Sequence, residues 1–545
     1  MTAEATVSTF PTLHIYVPED PFVDRELWQD GTIALTDAPE EIAFETIDAR
    51  IRGRGNSTWW SGENKRPLRF RLGEPRSMFG SEYEARDWIL LADNFDRSLF
   101  RNYSALYFAR SLGSMVFVPT AHRVHLYVNG EYMGLYLLTD ERDVNLGRLE
   151  LVWDADPSLS GFFLEMDGRA PQTGVEGEDF VMVNGVPYDL RWPSSDEEMT
   201  ERHIDYVQAY LEAVSLAVRS QDFAEIEKLI DIETFVDFYL VQELYKDTDA
   251  WITSVFMHID GVGEERRLYM GPVWDFDLAA GNRSGQILGH GPENLYVAVL
   301  HYWYRYLLDV PEFREIVVAR WDEIRDVQIV WTIARIQETA LRYEAEFARN
   351  FARHPLREIP QDIPPPELLA IDDFMGQVAY LVDWLEARTA WLDDYFHGRL
   401  EDYDPLWELV RFYTYEAPIH VRRNGEQQAL RVAPINLQNR VLLTLADLAA
   451  LFDLTVTYDL ELGIAILERD SIVISHGIGT SFFTVGAEPV SGAPFSIVIR
   501  DQVFLSPLVI AEALGYEIAW DADDNTLVIT GAADPYDVYE EETAE

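Results

Sequence analysis

The chain has 545 residues, 48% hydrophobic and 13% aromatic, so it carries enough apolar surface for several cores and is not disordered as a whole. Asp and Glu number 95 against 43 Lys and Arg, a net charge of −52, which repels nucleic acid and anionic membranes because both require basic patches. Cys is absent, which excludes a disulfide framework, thiolate metal sites and a Cys nucleophile.

The length predicts two to four domains at roughly 100–200 residues each. No apolar run reaches the ~18 residues of a membrane span. No basic-then-apolar leader opens the chain, so the expectation is either a cytoplasmic protein or one whose leader has been removed. Residues 9–50 alternate apolar and polar positions, as in Leu13-His14-Ile15-Tyr16-Val17, and read as strands. Further strands are predicted at Pro67–Leu72, His122–Val128, Tyr132–Leu138 and Gly161–Met166, with Asn129-Gly130 as a hairpin turn and Ser98–Leu112 as a helix.

From about Glu198 the period changes to 3.6, predicting helices over Ile204–Arg219, Phe223–Lys246, Glu312–Arg353 and Leu368–Phe396. A hairpin, Ser254–Ile259 and Arg267–Val273, interrupts them. Residues 400–417 read as a connector. Beyond about 418 the segment Val441–Leu467 aligns without gaps onto Val503–Ile529, a repeat at an offset of 62 residues. Two copies are too few for a solenoid and predict a pseudo-symmetric α+β module. Pro535–Glu545 reads as a frayed acidic tail.

Three motifs carry chemistry. Arg52-Gly53-Arg54-Gly55-Asn56-Ser57-Thr58 follows a strand, and such a loop either turns a hairpin or cradles an anion on successive N–H groups. Around it lie Arg52, Arg54, Lys65, Arg66, Arg69 and Arg71 with one acid, Glu63; this basic stretch reads equally as an anion site or as internal salt bridging. Asp247-Thr248-Asp249 ends a helix, and Trp274-Asp275-Phe276-Asp277 follows a strand. Carboxylates at i and i+2 share a side of extended backbone, and hard cations take such oxygens together with substrate phosphates. Phosphoryl transfer needs this combination of cations on the phosphates, carboxylates on the metal and one carboxylate on the attacking hydroxyl. Only three lysines occur, and two of them, Lys65 and Lys246, fall in these motifs. No zinc-helix His pair or Gly-x-Ser-x-Gly elbow is present, and Trp59-Trp60 suits either ligand stacking or packing.

Residues from about 10 to 400 resemble the CotH-type spore-coat protein kinases, an atypical family. The blocks that carry the likeness are Arg52–Trp59, Lys65-Arg66-Pro67, Asp87–Ala92, Arg101-Asn102, Tyr127–Leu138, Gly161–Asp167 and Gly271–Asp277. The resemblance implies an α+β, kinase-like two-lobe fold, with a strand-rich part at about 10–195 and a helix-rich part at about 196–400. It also implies ATP-dependent phosphorylation of protein Ser or Thr. In that mechanism Asp249 is the catalytic carboxylate and Asp275 and Asp277 hold Mg²⁺ or Mn²⁺. The glycine loop with Asn56, Ser57 and Lys65 binds the ATP phosphates, and Arg54 or Arg69 neutralises transferred charge. Conventional kinases place an Asn five residues after the catalytic Asp; here Ser254, a poorer metal ligand, stands there.

Residues 418–531 resemble the N-terminal-type domain of copper amine oxidases, which recurs on secreted Firmicute proteins as an attachment module. Only His420 and His476 fall in it, so no copper chemistry is expected. The combination implies an extracellular, cell-surface or spore-coat location, wall or spore-surface association through this domain, and a basic protein substrate. Two rival readings stay open. One is a catalytically inactive surface adhesin keeping the fold, for which Ser254 speaks. The other is a metal-dependent glycosyltransferase, since Asp-x-Asp pairs also bind nucleotide-sugars through a cation.

Overall fold

Seven strands at the start of the chain close on themselves. In chain order they are β1 (Thr12–Tyr16), β2 (Gln29–Thr36), β3 (Phe44–Gly53), β4 (Leu68–Arg76), β5 (Ala85–Leu91), β6 (Ala121–Val128) and β7 (Glu131–Asp140). Their order in the barrel is β1-β2-β3-β4-β5-β7-β6, and the ring closes where β6 runs parallel to β1, pairing Leu13 with Leu126. Closure leaves no unpaired sheet edge. The alternation read from the sequence fills the interior with Leu13, Ile15, Ile33, Phe70, Trp88, Leu126, Tyr136 and Leu138. The structure, a computed structural model, describes residues 9–60, 65–193, 199–286, 288–358, 363–400, 403, 419–437, 440–459, 463–478, 483–490, 496–499, 502–522 and 524–531. The connector expected at 400–417 lies almost wholly outside these residues, and the tail Pro535–Glu545 entirely so.

Contacts divide the chain into two units, one of Met1–Asp179, Asp189–Val207 and Gln221–Glu401, the other of Phe180–Tyr188, Gln208–Ser220 and Asp402–Glu545. In the first, the expected hairpin is present as β11 (Val255–Asp260) and β12 (Arg267–Met270) once β8 (Phe162–Met166), β9 (Phe180–Val183) and β10 (Val186–Trp192) are counted. Strand β11 also pairs antiparallel with β8, joining Val255 to Met166, so a strand of the strand-rich part sits in the sheet of the helix-rich part.

The helix predicted at Ile204–Arg219 is present as Glu201–Ser220, and side-chain caps divide two of the other predicted helices. Phe223–Lys246 breaks into Phe223–Ile226 and Ile232–Tyr245 because the Asp222 and Asp231 side chains accept from the N–H groups of Ala224 and Thr234 and start a helix each. Asp373 likewise starts Phe374–Phe396 by accepting from the Gly376 N–H. The run predicted at Glu312–Arg353 is three helices, Pro311–Ile324, Val330–Arg342 and Glu344–Arg353, with a π-helical turn at Arg325–Ile329. The last of these packs on β7 where Gly134 has φ +111°, and a Cβ there would meet Asn350 and His354 at 2.9 Å.

In the second unit the repeat is visible as geometry. Hairpin Ile435–Leu437/Arg440–Thr444, helix Leu445–Phe452 and hairpin Thr455–Asp459/Ile464–Arg469 recur as Ile497–Ile499/Gln502–Leu505, Pro507–Ala513 and Tyr516–Asp521/Thr526–Gly531. The copies join antiparallel with Leu443 opposite Leu505, its own counterpart 62 residues on, so a pseudo-two-fold axis passes through that pair. Thr444 and Ser506, again counterparts, cap the two helices. Ala465 and Leu467 with Leu527 and Ile529 fill one shared core.

Candidate active site

The helix Ile232–Tyr245 is buried from Thr234 onward and stops at Lys246, which takes a left-handed φ of +47°. The Lys246 ammonium is buried and donates to the carbonyls of Leu288, Gly291 and Glu293 at 3.2, 3.0 and 2.7 Å. It fastens the loop that carries those three carbonyls. Beyond this stop come Asp247, which is buried, and Asp249, partly so; the Asp247 carboxylate accepts from the Asp249 N–H at 3.3 Å.

Asp275 and Asp277 follow β12 on a segment held by two residues from the start of the helix Arg101–Leu112. Arg101 donates to the carbonyls of Ala279 and Ala280, and Asn102 accepts from the Phe276 N–H at 2.8 Å while donating to Asp93 at 3.0 Å. Asn282 closes the segment by donating to the carbonyls of Phe95 and Asp277. Asp275 holds φ at +72°, a strained conformation costing on the order of 1–3 kcal/mol. The surrounding bonds impose it.

The four aspartates form one electrostatic cluster. Burial, then the charges of Asp249, Asp275 and Asp277, push Asp247 well above the usual carboxylate range. Burial and the charges of Asp275, Asp93, Asp249 and Asp96 do the same to Asp277. Asp249 is raised to about 6, by burial first and Asp275 next, against the opposing pull of Arg283 and Arg169. Carboxylates crowded in this way are short of positive charge, and their oxygens are the donor type a hard divalent cation takes, although among the described residues the groups of three acidic or His side chains with ligand atoms within 4.8 Å of one another lie elsewhere.

Ser254, the residue at the kinase asparagine position, donates its hydroxyl to Asp275 Oδ2 at 3.2 Å and so still addresses a carboxylate of the cluster. The β8–β11 pairing brings a second carboxylate to the same loop. Asp167 accepts from Thr253 Oγ1 at 2.9 Å and from Arg169 at 2.8 Å, and the Gly168 N–H donates to the Ile252 carbonyl at 2.7 Å. This clamp fixes the turn that begins at Asp249.

The basic stretch resolves largely into internal pairing. Arg52 binds Glu26, Arg69 and Arg71 bind Asp87, Arg69 also reaches Glu141 at 3.2 Å, and Arg66 donates to the carbonyls of Trp59 and Phe22. Asn56 accepts from Arg25 at 2.8 Å, and both Asn56 and Ser57 are exposed at the start of the single turn Ser57–Trp60. Arg54 differs. Among the described residues its guanidinium has no hydrogen bond or ion pair; it lies 5.8 Å from the Trp274 ring centroid and within the field of Glu141, Asp275 and Asp277. Arg142 covers the same ring at 4.2 Å. Asp249, Asp275 and Asp277 therefore share one electrostatic field, Arg54 lies in the field of Asp275 and Asp277, and Arg69 and Asn56 are tied to protein partners.

Lys65 is 4% exposed, donates to the Leu135 carbonyl at 2.6 Å and lies over the Tyr136 ring. Burial lowers its ammonium to about 7, partly offset by Asp93 and Asp96. Lys65→Met is expected to cost about 1–3 kcal/mol, because the Leu135 carbonyl loses its buried donor. A lower midpoint in urea denaturation checks this; an unchanged midpoint would leave Lys65 with no structural part.

Sequence reasoning missed Asp93, Asp96, Glu141, Arg142, Arg169 and Arg283. Only for Asp93 and Asp96 was a signal present, in a polar run set directly against the resemblance block Asp87–Ala92.

Comparisons bear on the whole arrangement. Residues 422–529 match the copper amine oxidase N-terminal domain. No match to a curated protein was found. Residues 50–392, more than half of the chain and including every residue of the aspartate cluster, match the CotH kinase protein family. With that match over barrel strands β4 to β7, the clamp and the carboxylates, the chain belongs to the CotH kinase family.

Proposed function

We propose that the protein is a metal-dependent atypical kinase that transfers the γ-phosphate of ATP to Ser or Thr of a protein. The observation that carries this reading is the crowded aspartate cluster with Arg54 in the field of Asp275 and Asp277, the one cation of the glycine loop left without a charged partner among the described residues. Asp275 and Asp277 would hold Mg²⁺ or Mn²⁺, which when bound neutralises phosphate charge. Arg54 contacts the phosphates, Trp274 sets its position, and Asp249 orients the acceptor hydroxyl and takes its proton. Residues 10–404 form the kinase domain in this reading, split near 195 into two lobes, and 418–531 the accessory domain. The net charge of −52 favours a basic protein acceptor. The accessory domain suits an extracellular place on a cell wall or spore coat.

The test is incubation of the full chain with labelled ATP, Mn²⁺ and a Lys/Arg-rich acceptor protein. Transfer is expected, and Arg54→Ala should weaken ATP binding by about 1.5–3 kcal/mol, the worth of a charge-assisted contact. Stabilisation by Mn²⁺ with UDP-sugars but not with ATP would favour a glycosyltransferase. No transfer and no response to ATP would favour the inactive adhesin.

A further inference from the structure

The second unit contains a groove of about 540 Å³ by the pseudo-two-fold seam, within the ~300–1,000 Å³ usual for small-ligand sites. Its walls come from both repeats: Asn436 and Arg440 from the first, and Pro507, Leu508 and Trp520 from the second. We infer that this groove binds an uncharged oligosaccharide, with the Trp520 indole as the platform for a sugar ring.

Two observations select that class. Trp520 is 44% exposed on Tyr516–Asp521, an outer strand of its sheet, so a large apolar face stands at the groove without covering a core. A saccharide presents a ring face of C–H groups to such an indole, with its hydroxyls left free around the rim. Asn436 Oδ1 is buried yet accepts no hydrogen bond from the described residues, an arrangement that costs free energy until a donor arrives. A sugar hydroxyl is such a donor; a carboxylate or phosphate is not.

Charge removes the alternatives. No Asp or Glu lines the groove among the described residues, although 95 occur in the chain, so a basic ligand finds no counter-ion there. The −52 field opposes a polyanion at long range, and the single guanidinium of Arg440 is suited to hydrogen-bonding hydroxyl and ring oxygens.

The repeat supplies an internal comparison. At the offset of 62 residues the counterparts of Asn436, Arg440 and Trp520 are Val498, Gln502 and Tyr458. The two copies therefore share a backbone and differ in the three side chains that would read a sugar, which confines the site to one side of the pseudo-axis. Binding here is independent of the aspartate cluster.

The test uses the full chain with cellotetraose and chitotetraose as neutral probes and tetragalacturonate as the acidic one, followed by calorimetry. Binding to at least one neutral probe is expected, with tetragalacturonate weaker. Trp520→Ala and Asn436→Val should each weaken it by ~10-fold or more, about 1.4 kcal/mol, while Gln502→Ala leaves it unchanged and all variants keep the parent melting temperature. Absence of binding to both neutral probes overturns the inference, as does tighter binding of tetragalacturonate. Affinity that survives Trp520→Ala in a folded chain places the sugar elsewhere and also overturns it.

Discussion

Asp249→Asn is expected to abolish phosphoryl transfer while ATP and Mn²⁺ still bind. The carboxylate proposed to take the acceptor proton is lost, a contribution of ~10²–10⁴-fold for general-base catalysis, and Asp275 and Asp277 remain to hold the cation. The same substitution should raise the melting temperature of the metal-free protein. Asp249 titrates near 6 in the fold against an ordinary value of 3.8, so above pH 6 its charge is carried at a cost that the unfolded chain does not bear. Asn removes that charge. A variant more stable than the parent and inactive, with nucleotide affinity retained, separates a catalytic role from a structural one. Full activity in Asp249→Asn would remove it from the chemistry.

What the sequence revealed and what it hid follow from the range of the interactions. Alternation along β1 to β7 is local and was legible, but the ring is closed by pairing Leu13 with Leu126, more than 100 residues apart, and no local pattern marks that contact. The same holds for β8, which lies in the strand-rich half of the chain yet pairs with β11, bringing Asp167 and Arg169 against the Asp249 turn. The Asp-x-Asp spacings and the repeat were legible because each is a periodicity in the chain itself. Lys65 and Lys246 show the limit of motif reading. Both lie beside the right segments, but burial turns each ammonium onto backbone carbonyls. The basic stretch shows it again: charge density along the sequence announces positive residues, and only the fold shows that Asp87, Glu141 and Glu26 answer three of the six, that backbone carbonyls take Lys65 and Arg66, and that Arg54 is left.

Divalent cations should stabilise the protein in a strongly pH-dependent way. In the metal-free fold, burial and mutual repulsion raise Asp247, Asp249 and Asp277, so the folded state holds more protons than the unfolded chain from the ordinary carboxylate range upward, to about 6 for Asp249. Metal-free stability therefore falls as pH rises through that window and stays low above it. Mn²⁺ or Mg²⁺ must displace these protons, so the gain in melting temperature should be large at pH 7.5 and fade as pH drops towards 5. Asp277→Asn should remove most of the gain while raising the metal-free melting temperature, since one repelling carboxylate is gone. Asp189→Asn is the control: Glu165, Asp167 and Asp189 place carboxylate oxygens within 4.8 Å of one another, but Arg191 pairs with Glu165 and Asp189 and Arg169 with Asp167. A gain that persists in Asp277→Asn and disappears in Asp189→Asn would move the cation to that second group and withdraw Asp275 and Asp277 as its ligands.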